Sequence, residues 1–155
     1  VDLAIEACAE LGLPLVIAGA GRDRARLEAL AAQHSRANVK FLGRVDESAL
    51  ADLLRRCSAF IFPGFEDFGI APIRAMAYGK PVIAFARGGA LDTVIDGQTG
   101  ILFHEQTRAA LVSALEKHRV VTYAPAAIRQ HAERFGSERF VSELSAVVGQ
   151  TAGIS

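Results

Sequence analysis

The sequence has little of several features that define whole classes of protein. Basic and acidic residues number 17 each, so no basic excess exists for binding nucleic acid or an anionic surface through bulk electrostatics. No apolar run reaches the roughly 20 residues that a membrane-spanning helix needs. The two cysteines, Cys8 and Cys57, lack the spacing of a zinc or redox motif. We expect them to be free, buried thiols in a reducing compartment.

Along the sequence, short apolar runs alternate with segments that have a helical pattern of apolar residues. The 155 residues are 51% apolar and 22% charged, which is typical of one packed globular domain. Strand-like runs recur about every 20 residues, which predicts βαβ units. The predicted fold is therefore α/β and Rossmann-like, with a parallel sheet and helices on both faces. We expect strands at 13–18, 39–42, 59–62, 81–85 and 100–103, and only helices over 107–149.

The stretch 60–79 predicts a binding pocket. It reads as a buried strand, a loop carrying Glu66, a glycine, and a helix expected to begin at Pro72 and to end at Gly79. Ligands of open parallel sheets bind beyond the carboxyl ends of the strands. There the amides of a helix N-terminus attract phosphate, and one carboxylate can hold sugar hydroxyls. A phosphorylated, hydroxyl-rich ligand is the expected occupant.

Two glycine-containing turns invite a nucleotide interpretation. The segment that starts at Gly19 resembles a dinucleotide fingerprint, but Arg24 stands where the third glycine belongs. A tight turn that lines a nucleotide pocket fits better than a nicotinamide site. Gly43, followed by Arg44 and Val45, would let a flat base approach the backbone closely. A simple turn with a solvated arginine explains those three residues equally well.

The sequence gives little indication of a metal site or of a catalytic nucleophile. Glu66 and Asp67 are adjacent, so their side chains should diverge, whereas metal chelation needs convergent oxygens. Glu66 is the better candidate for accepting sugar hydroxyls, and Asp67 is expected to be solvated. The histidines are scattered and form no group with a serine or cysteine; they are His34, His104, His118 and His131.

Residues 62–84 resemble glycosyltransferase family 4, which has the GT-B fold. The segments 88–103, 16–21 and 41–45 extend the similarity, which covers about residues 1–118 in the same order and spacing. The Glu-Asp-Phe-Gly-Ile segment from Glu66 and the Gly-Gly-Ala-Leu segment from Gly88 look most like mannosyltransferases of polysaccharide assembly.

The resemblance implies the C-terminal, donor-binding half of a two-domain enzyme. Such enzymes transfer a hexose with retention and without a bound metal or cofactor, here mannose from GDP-mannose or another hexose from a GDP- or UDP-sugar. Glu66 would be the catalytic contact to the donor sugar. The amides of Phe68, Gly69 and Ile70 would face the sugar and diphosphate. The implied donor-binding residues are Gly19, Gly43, Arg44, Val45, Glu66, Phe68, Gly69, Ile70 and Arg74.

Two departures from the family pattern bear on activity. Arg74 occupies the position of a second glutamate that holds the ribose, and arginine donates but cannot accept hydrogen bonds. It is expected to reach a phosphate or to pair with Glu66. The basic residues that grip the diphosphate precede Val1 in the family. We therefore expect a piece of a longer protein, lacking a first strand and the acceptor domain, and inactive alone.

The expected partners are a nucleotide-sugar donor and a glycan or lipid-linked acceptor, without nucleic acid. The expected location is the cytoplasm, with peripheral contact to the inner face of the membrane left open. Two alternatives also stay open, namely a binding-only domain, suggested by Arg74, and a GT-B sugar-nucleotide epimerase. Calorimetry with nucleotides tests the first alternative, and product analysis without an acceptor tests the second.

Overall fold

Helices and strands alternate along the computed structural model, which describes residues 1–67 and 69–136. The strands are β1 (Pro14–Ala18), β2 (Asn38–Gly43), β3 (Phe60–Phe62), β4 (Val82–Phe85) and β5 (Gly100–Phe103). The helices are α1 (Asp2–Leu11), α2 (Arg24–Ala32), α3 (Glu47–Arg56), α4 (Ile70–Ala77), α5 (Gly89–Thr93), α6 (Arg108–Val120) and α7 (Pro125–Glu133). The part of the predicted helical region 107–149 that follows residue 136 lies outside the described residues.

All strand pairings are parallel, as predicted, but the strands form two sheets rather than one. β1 pairs with β2, and β3, β4 and β5 form a three-stranded sheet with β4 in its centre. A short apolar run identifies a strand without identifying its neighbour, because a central strand and an edge strand can have the same sequence pattern. Val16 of β1 is 48% exposed, whereas Val82, Ile83 and Ala84 of β4 are fully buried.

Helices cover both faces of the three-stranded sheet. Successive side chains of a strand point to opposite faces, and β4 shows this directly. Ile83 belongs to a core with residues of α1 and α6, and its neighbours Val82 and Ala84 belong to a second core with residues of α4 and α7. Because β3, β4 and β5 run parallel, their carboxyl ends lie at one edge of this sheet.

Helix α4 begins two residues earlier than predicted. Its first residue is Ile70, so Pro72 is the third helical residue rather than the first. The correction has a simple cause: N–H groups throughout the first turn lack intrahelical partners, so proline is tolerated at any of these positions. Gly79 follows the last turn with φ +72°, as expected for a helix-ending glycine. Helix α5 begins at Gly89, directly after Gly88 with φ +58°.

Capping explains where α3 begins. The carboxylate of Asp46 accepts a hydrogen bond from the backbone N–H of Ala49 at 2.8 Å, which satisfies one of the unpaired amides of the first turn. Asp23 precedes α2 in the same way, but its carboxylate accepts a hydrogen bond from Arg26 at 2.8 Å instead of from a helix amide. Within the part of the chain that the structure describes, no helix is long and apolar enough to span a membrane.

Candidate functional site

The loop that carries Glu66 is attached to the ends of the neighbouring strands. It follows β3, and the side-chain amide of Gln106, just after β5, donates to the carbonyl oxygen of Pro63 at 2.9 Å. The backbone N–H of Gly89, just after β4, donates to the carbonyl oxygen of Glu66 at 3.0 Å. The carboxyl ends of three parallel strands therefore fix the backbone of this loop, at the edge where open sheets bind ligands.

Gly88 makes the closest contact with this loop. A Cβ atom at this position would lie 2.5 Å from the carbonyl oxygen of Glu66 and 2.6 Å from the ring of Phe65. Its φ of +58° is also disfavoured for any residue with a side chain. The guanidinium of Arg87 lies 5.6 Å from the centre of the Phe65 ring, in cation–π geometry. Sequence reasoning missed this contact, since it joins residues more than twenty positions apart.

A cavity of about 510 Å³ lies beside this loop and the start of α4. The structure brings four predicted site residues together in its wall, namely Glu66, Gly69, Ile70 and Arg74. Phe68 lies outside the described residues. The lining residues that were not predicted are Leu50, Asp67 and Ala71. Asp67 is exposed, as expected, but it also borders the cavity.

The start of α4 offers backbone donors to this cavity. Gly69 is the N-cap, with φ +75°, and has no side chain with which to cap the helix. The amides of Ile70 and Ala71 are among the first-turn groups that no helical carbonyl can satisfy. They carry the positive end of the helix dipole. The wall therefore combines anion-binding amides with the carboxylate of Glu66, the pair of functions that a phosphorylated sugar requires.

Arg74 pairs with a carboxylate that the sequence did not predict. Its two terminal nitrogens donate to the two carboxylate oxygens of Glu47, with Nη1–Oε1 at 3.2 Å, and so connect α4 to α3. The expected pairing with Glu66 is therefore replaced by one with Glu47. The Arg74 guanidinium lowers the pKa of the Glu47 carboxyl, and Glu47 in turn raises the pKa of Arg74. The two residues lie 27 positions apart, so no local pattern indicates the contact.

The remaining predicted residues lie together at the ends of β1 and β2. The backbone N–H of Gly19 donates to the carbonyl oxygen of Gly43 at 2.7 Å. Arg44 is exposed and Val45 is half-buried. These four residues are not part of the wall of the 510 Å³ cavity. They lead into α3, however, which contributes Leu50 to that wall, and their role in binding stays a prediction.

The site was not expected to chelate a metal, since Glu66 and Asp67 are adjacent in sequence. Among residues 1–67 and 69–136, no group of three or more histidine, cysteine, aspartate or glutamate side chains could hold a metal ion. The chemistry that these residues can supply is hydrogen bonding and fixed charge. It comes from the carboxylates of Glu66 and Asp67 beside the start of α4, and from the bidentate pair of Arg74 and Glu47.

Comparison with known proteins identifies the family. The family described as glycosyl transferases group 1 matches residues 1–119. This chain belongs to the group 1 glycosyl transferases. Relatives of the glycosyl transferase domain include the alpha-1,3/1,6-mannosyltransferase ALG2 of Dictyostelium discoideum, which is 49% identical over 65 residues. That match covers 41% of this chain and 16% of the relative.

Longer stretches of this chain match proteins that are not named as mannosyltransferases. The glycogen synthase of Mycobacterium tuberculosis is 35% identical over 134 residues, which cover 85% of this chain and 31% of that protein. The sucrose-phosphate synthase of Thermosynechococcus elongatus superposes with a TM-score of 0.77 at 28% identity, over 99% of this chain and 42% of that one. The predicted α/β fold, shared with GT-B glycosyltransferases, is confirmed. This glycosyl transferase domain spans less than a third of both curated relatives.

Proposed function

We propose that this domain binds the nucleotide-sugar donor of a retaining hexosyltransferase, with GDP-mannose as the favoured donor. The observation that carries the proposal is that Glu66 lines the same cavity as Ile70 and Ala71, whose amides belong to the first turn of α4. Membership of the glycosyl transferase family supports it. Mannose is favoured because a stretch of 65 residues is 49% identical to a protein named as a mannosyltransferase.

The proposed chemistry needs binding and electrostatics rather than a covalent enzyme intermediate. Glu66 accepts hydrogen bonds from hydroxyls of the hexose and fixes its orientation. The amides at the start of α4 stabilise the negative charge that grows on the diphosphate as the bond from the anomeric carbon to oxygen breaks. The acceptor hydroxyl oxygen forms the new bond to that carbon, its proton passes to the departing diphosphate oxygen, and the nucleoside diphosphate leaves. In this scheme neither a metal nor another cofactor takes part.

The rest of the reaction is assigned to another part of a longer protein. We propose that this domain is the C-terminal half of a two-domain enzyme whose other half binds a glycan or lipid-linked acceptor. The 155-residue chain by itself would then bind donor weakly and transfer nothing. The proposed location is the cytoplasm, with peripheral contact to the inner face of the membrane through the acceptor half.

The direct test is a donor panel measured on the intact protein. GDP-mannose, UDP-glucose, ADP-glucose and the free diphosphates are titrated by calorimetry in the presence of EDTA. Binding of one nucleotide sugar, followed by transfer to a glycan acceptor with retained anomeric configuration, is the expected result. Absence of binding to every nucleotide sugar contradicts the proposal. An altered sugar nucleotide formed without acceptor would indicate an epimerase instead.

A further inference from the structure

We propose, building on the function proposed above, that Glu47 is a second carboxylate of the donor site. It accepts hydrogen bonds from the vicinal hydroxyls of the nucleotide ribose, and Arg74 is the positioning residue that orients it. The sequence resemblance points to position 74 itself for ribose binding, where this chain has an arginine. The structure points instead to the carboxylate that this arginine holds.

The position of Glu47 follows from its helix. Glu47 is the first residue of α3, and Leu50 lies three residues further on, so both side chains project from neighbouring points of one helix face. Leu50 lines the cavity. Arg74 also lines the cavity and contacts both carboxylate oxygens of Glu47. These two neighbours place the Glu47 carboxylate at the rim of the cavity.

The Glu47 carboxylate retains capacity for a ligand. An ionised carboxylate offers about four acceptor sites, and the two bonds from Arg74 use half of them. The side chain of Glu47 is 81% exposed, so the remaining sites are open. Hydrogen bonding from Arg74 lowers the pKa of Glu47, while the nearby charge of Asp46 opposes this effect. Asp46 is itself engaged by the Ala49 amide and by the hydroxyl of Ser48.

The pairing also solves an electrostatic difficulty. A bare carboxylate at this rim would repel a diphosphate that binds nearby. The guanidinium of Arg74 offsets the charge of Glu47, because the bidentate pair is close to neutral as a unit. The Glu47 oxygens can therefore accept hydroxyl protons without adding a net negative charge to the site.

The order of groups along the cavity matches the order of groups in a nucleotide sugar. Glu66 precedes α4, the amides of Ile70 and Ala71 begin it, and Arg74 lies one turn later, about 6 Å along the axis from Ile70. This gives a carboxylate, then an anion-binding segment, then a second carboxylate held by Arg74. A nucleotide sugar presents hexose hydroxyls, then a diphosphate, then ribose hydroxyls.

The test is the preference for a ribonucleotide over its dideoxy analogue. GDP and 2′,3′-dideoxy-GDP, or the uridine pair if UDP-sugars prove to be the donors, are titrated into the intact protein. We expect wild type to bind the ribonucleotide about 10- to 100-fold more tightly, as for one or two hydrogen bonds to a charged group. Glu47→Gln should reduce this preference to less than about threefold. Arg74→Gln should reduce it partly, because Glu47 then loses its orientation.

A matched control keeps the result specific. Asp52→Asn alters another exposed, arginine-paired acid of α3, the partner of Arg55, and should leave the preference unchanged. A preference that survives Glu47→Gln, or that is absent in wild type, overturns the inference. So does tighter nucleotide binding by Glu47→Gln, since Glu47 would then only shield Arg74 from phosphate. If wild type binds no nucleotide at all, the proposed function itself fails.

Discussion

The backbone N–H of Gly89 donates to the carbonyl oxygen of Glu66 at 3.0 Å, which joins the loop after β4 to the loop after β3. Gly88, one residue earlier, packs against the same carbonyl oxygen and against the ring of Phe65. The position of the Glu66 backbone is therefore set by a second loop. Two glycines more than twenty residues from Glu66 in sequence therefore help to position its backbone.

Substitution of Gly88 should disturb the site as well as the fold. In Gly88→Ala the new Cβ would lie 2.5 Å from the Glu66 carbonyl oxygen, at a φ of +58°. We expect a loss of about 2–4 kcal/mol in the free energy of unfolding, because steric displacement adds to the backbone strain. Donor affinity should fall at least about tenfold. Urea denaturation and calorimetry measure the two effects.

Gly97→Ala is the matched control for this prediction. Gly97 has a similar φ of +75°, but a Cβ there would meet no atom within 4 Å. Its cost should be limited to backbone strain of about 1–2 kcal/mol, with donor affinity unchanged. Equal loss of donor affinity in the two variants would show that the contact with Glu66 does not position the site.

The thiol of Cys8 should be unreactive in the native protein. Its side chain is 1% exposed, and burial raises the pKa of the thiol from about 9 to about 11. In a Cys57→Ser background, modification of Cys8 by a disulfide reagent near pH 8 should be at least about a hundredfold slower than in urea, because the thiolate is the reactive species. Rapid modification under native conditions would contradict the described packing of α1.

The buried thiol of Cys8 should also make the free energy of unfolding depend on pH. A pKa that is raised in the folded state favours folding below the unfolded value, so this contribution is complete below about pH 9. It is lost as the pH rises towards about 11. Cys8→Ala should flatten the fall in unfolding free energy over this window relative to wild type. An identical fall in both proteins would rule out Cys8 as its source.

Ile83 should be a major contributor to stability. It lies in the central strand of the three-stranded sheet, is fully buried, and packs among residues of α1 and α6. Ile83→Ala should cost about 2–5 kcal/mol, the range for a large-to-small change in a core. Ile95→Ala, at a site 37% exposed, should cost about 1 kcal/mol or less. Chemical denaturation of both variants makes the comparison, and similar losses would contradict the burial of Ile83.

Local patterns predicted most of the elements, because burial and backbone chemistry act over a few residues. The alternation of apolar runs located all five described strands. The start of α4 was misplaced by two residues, since Pro72 is compatible with more than one position of a first turn. The division into two sheets depends on strand neighbours, which no single strand specifies.

The candidate site was predictable only in part, for the same reason. Glu66, Gly69, Ile70 and Arg74 follow one another in a recognisable stretch, and they do line one cavity. The pairing of Arg74 with Glu47 joins two helices and has no local signature. These side chains meet only because the fold brings them together.

The most direct measurement of the central claim compares donor binding by wild type and Glu66→Gln in the intact protein. If Glu66 contacts the donor sugar, the substitution should weaken binding of the nucleotide sugar about tenfold or more and leave affinity for the free nucleoside diphosphate nearly unchanged. Glu116→Gln, an exposed glutamate of α6, should change neither affinity. Equal affinities of wild type and Glu66→Gln for the nucleotide sugar would contradict the account.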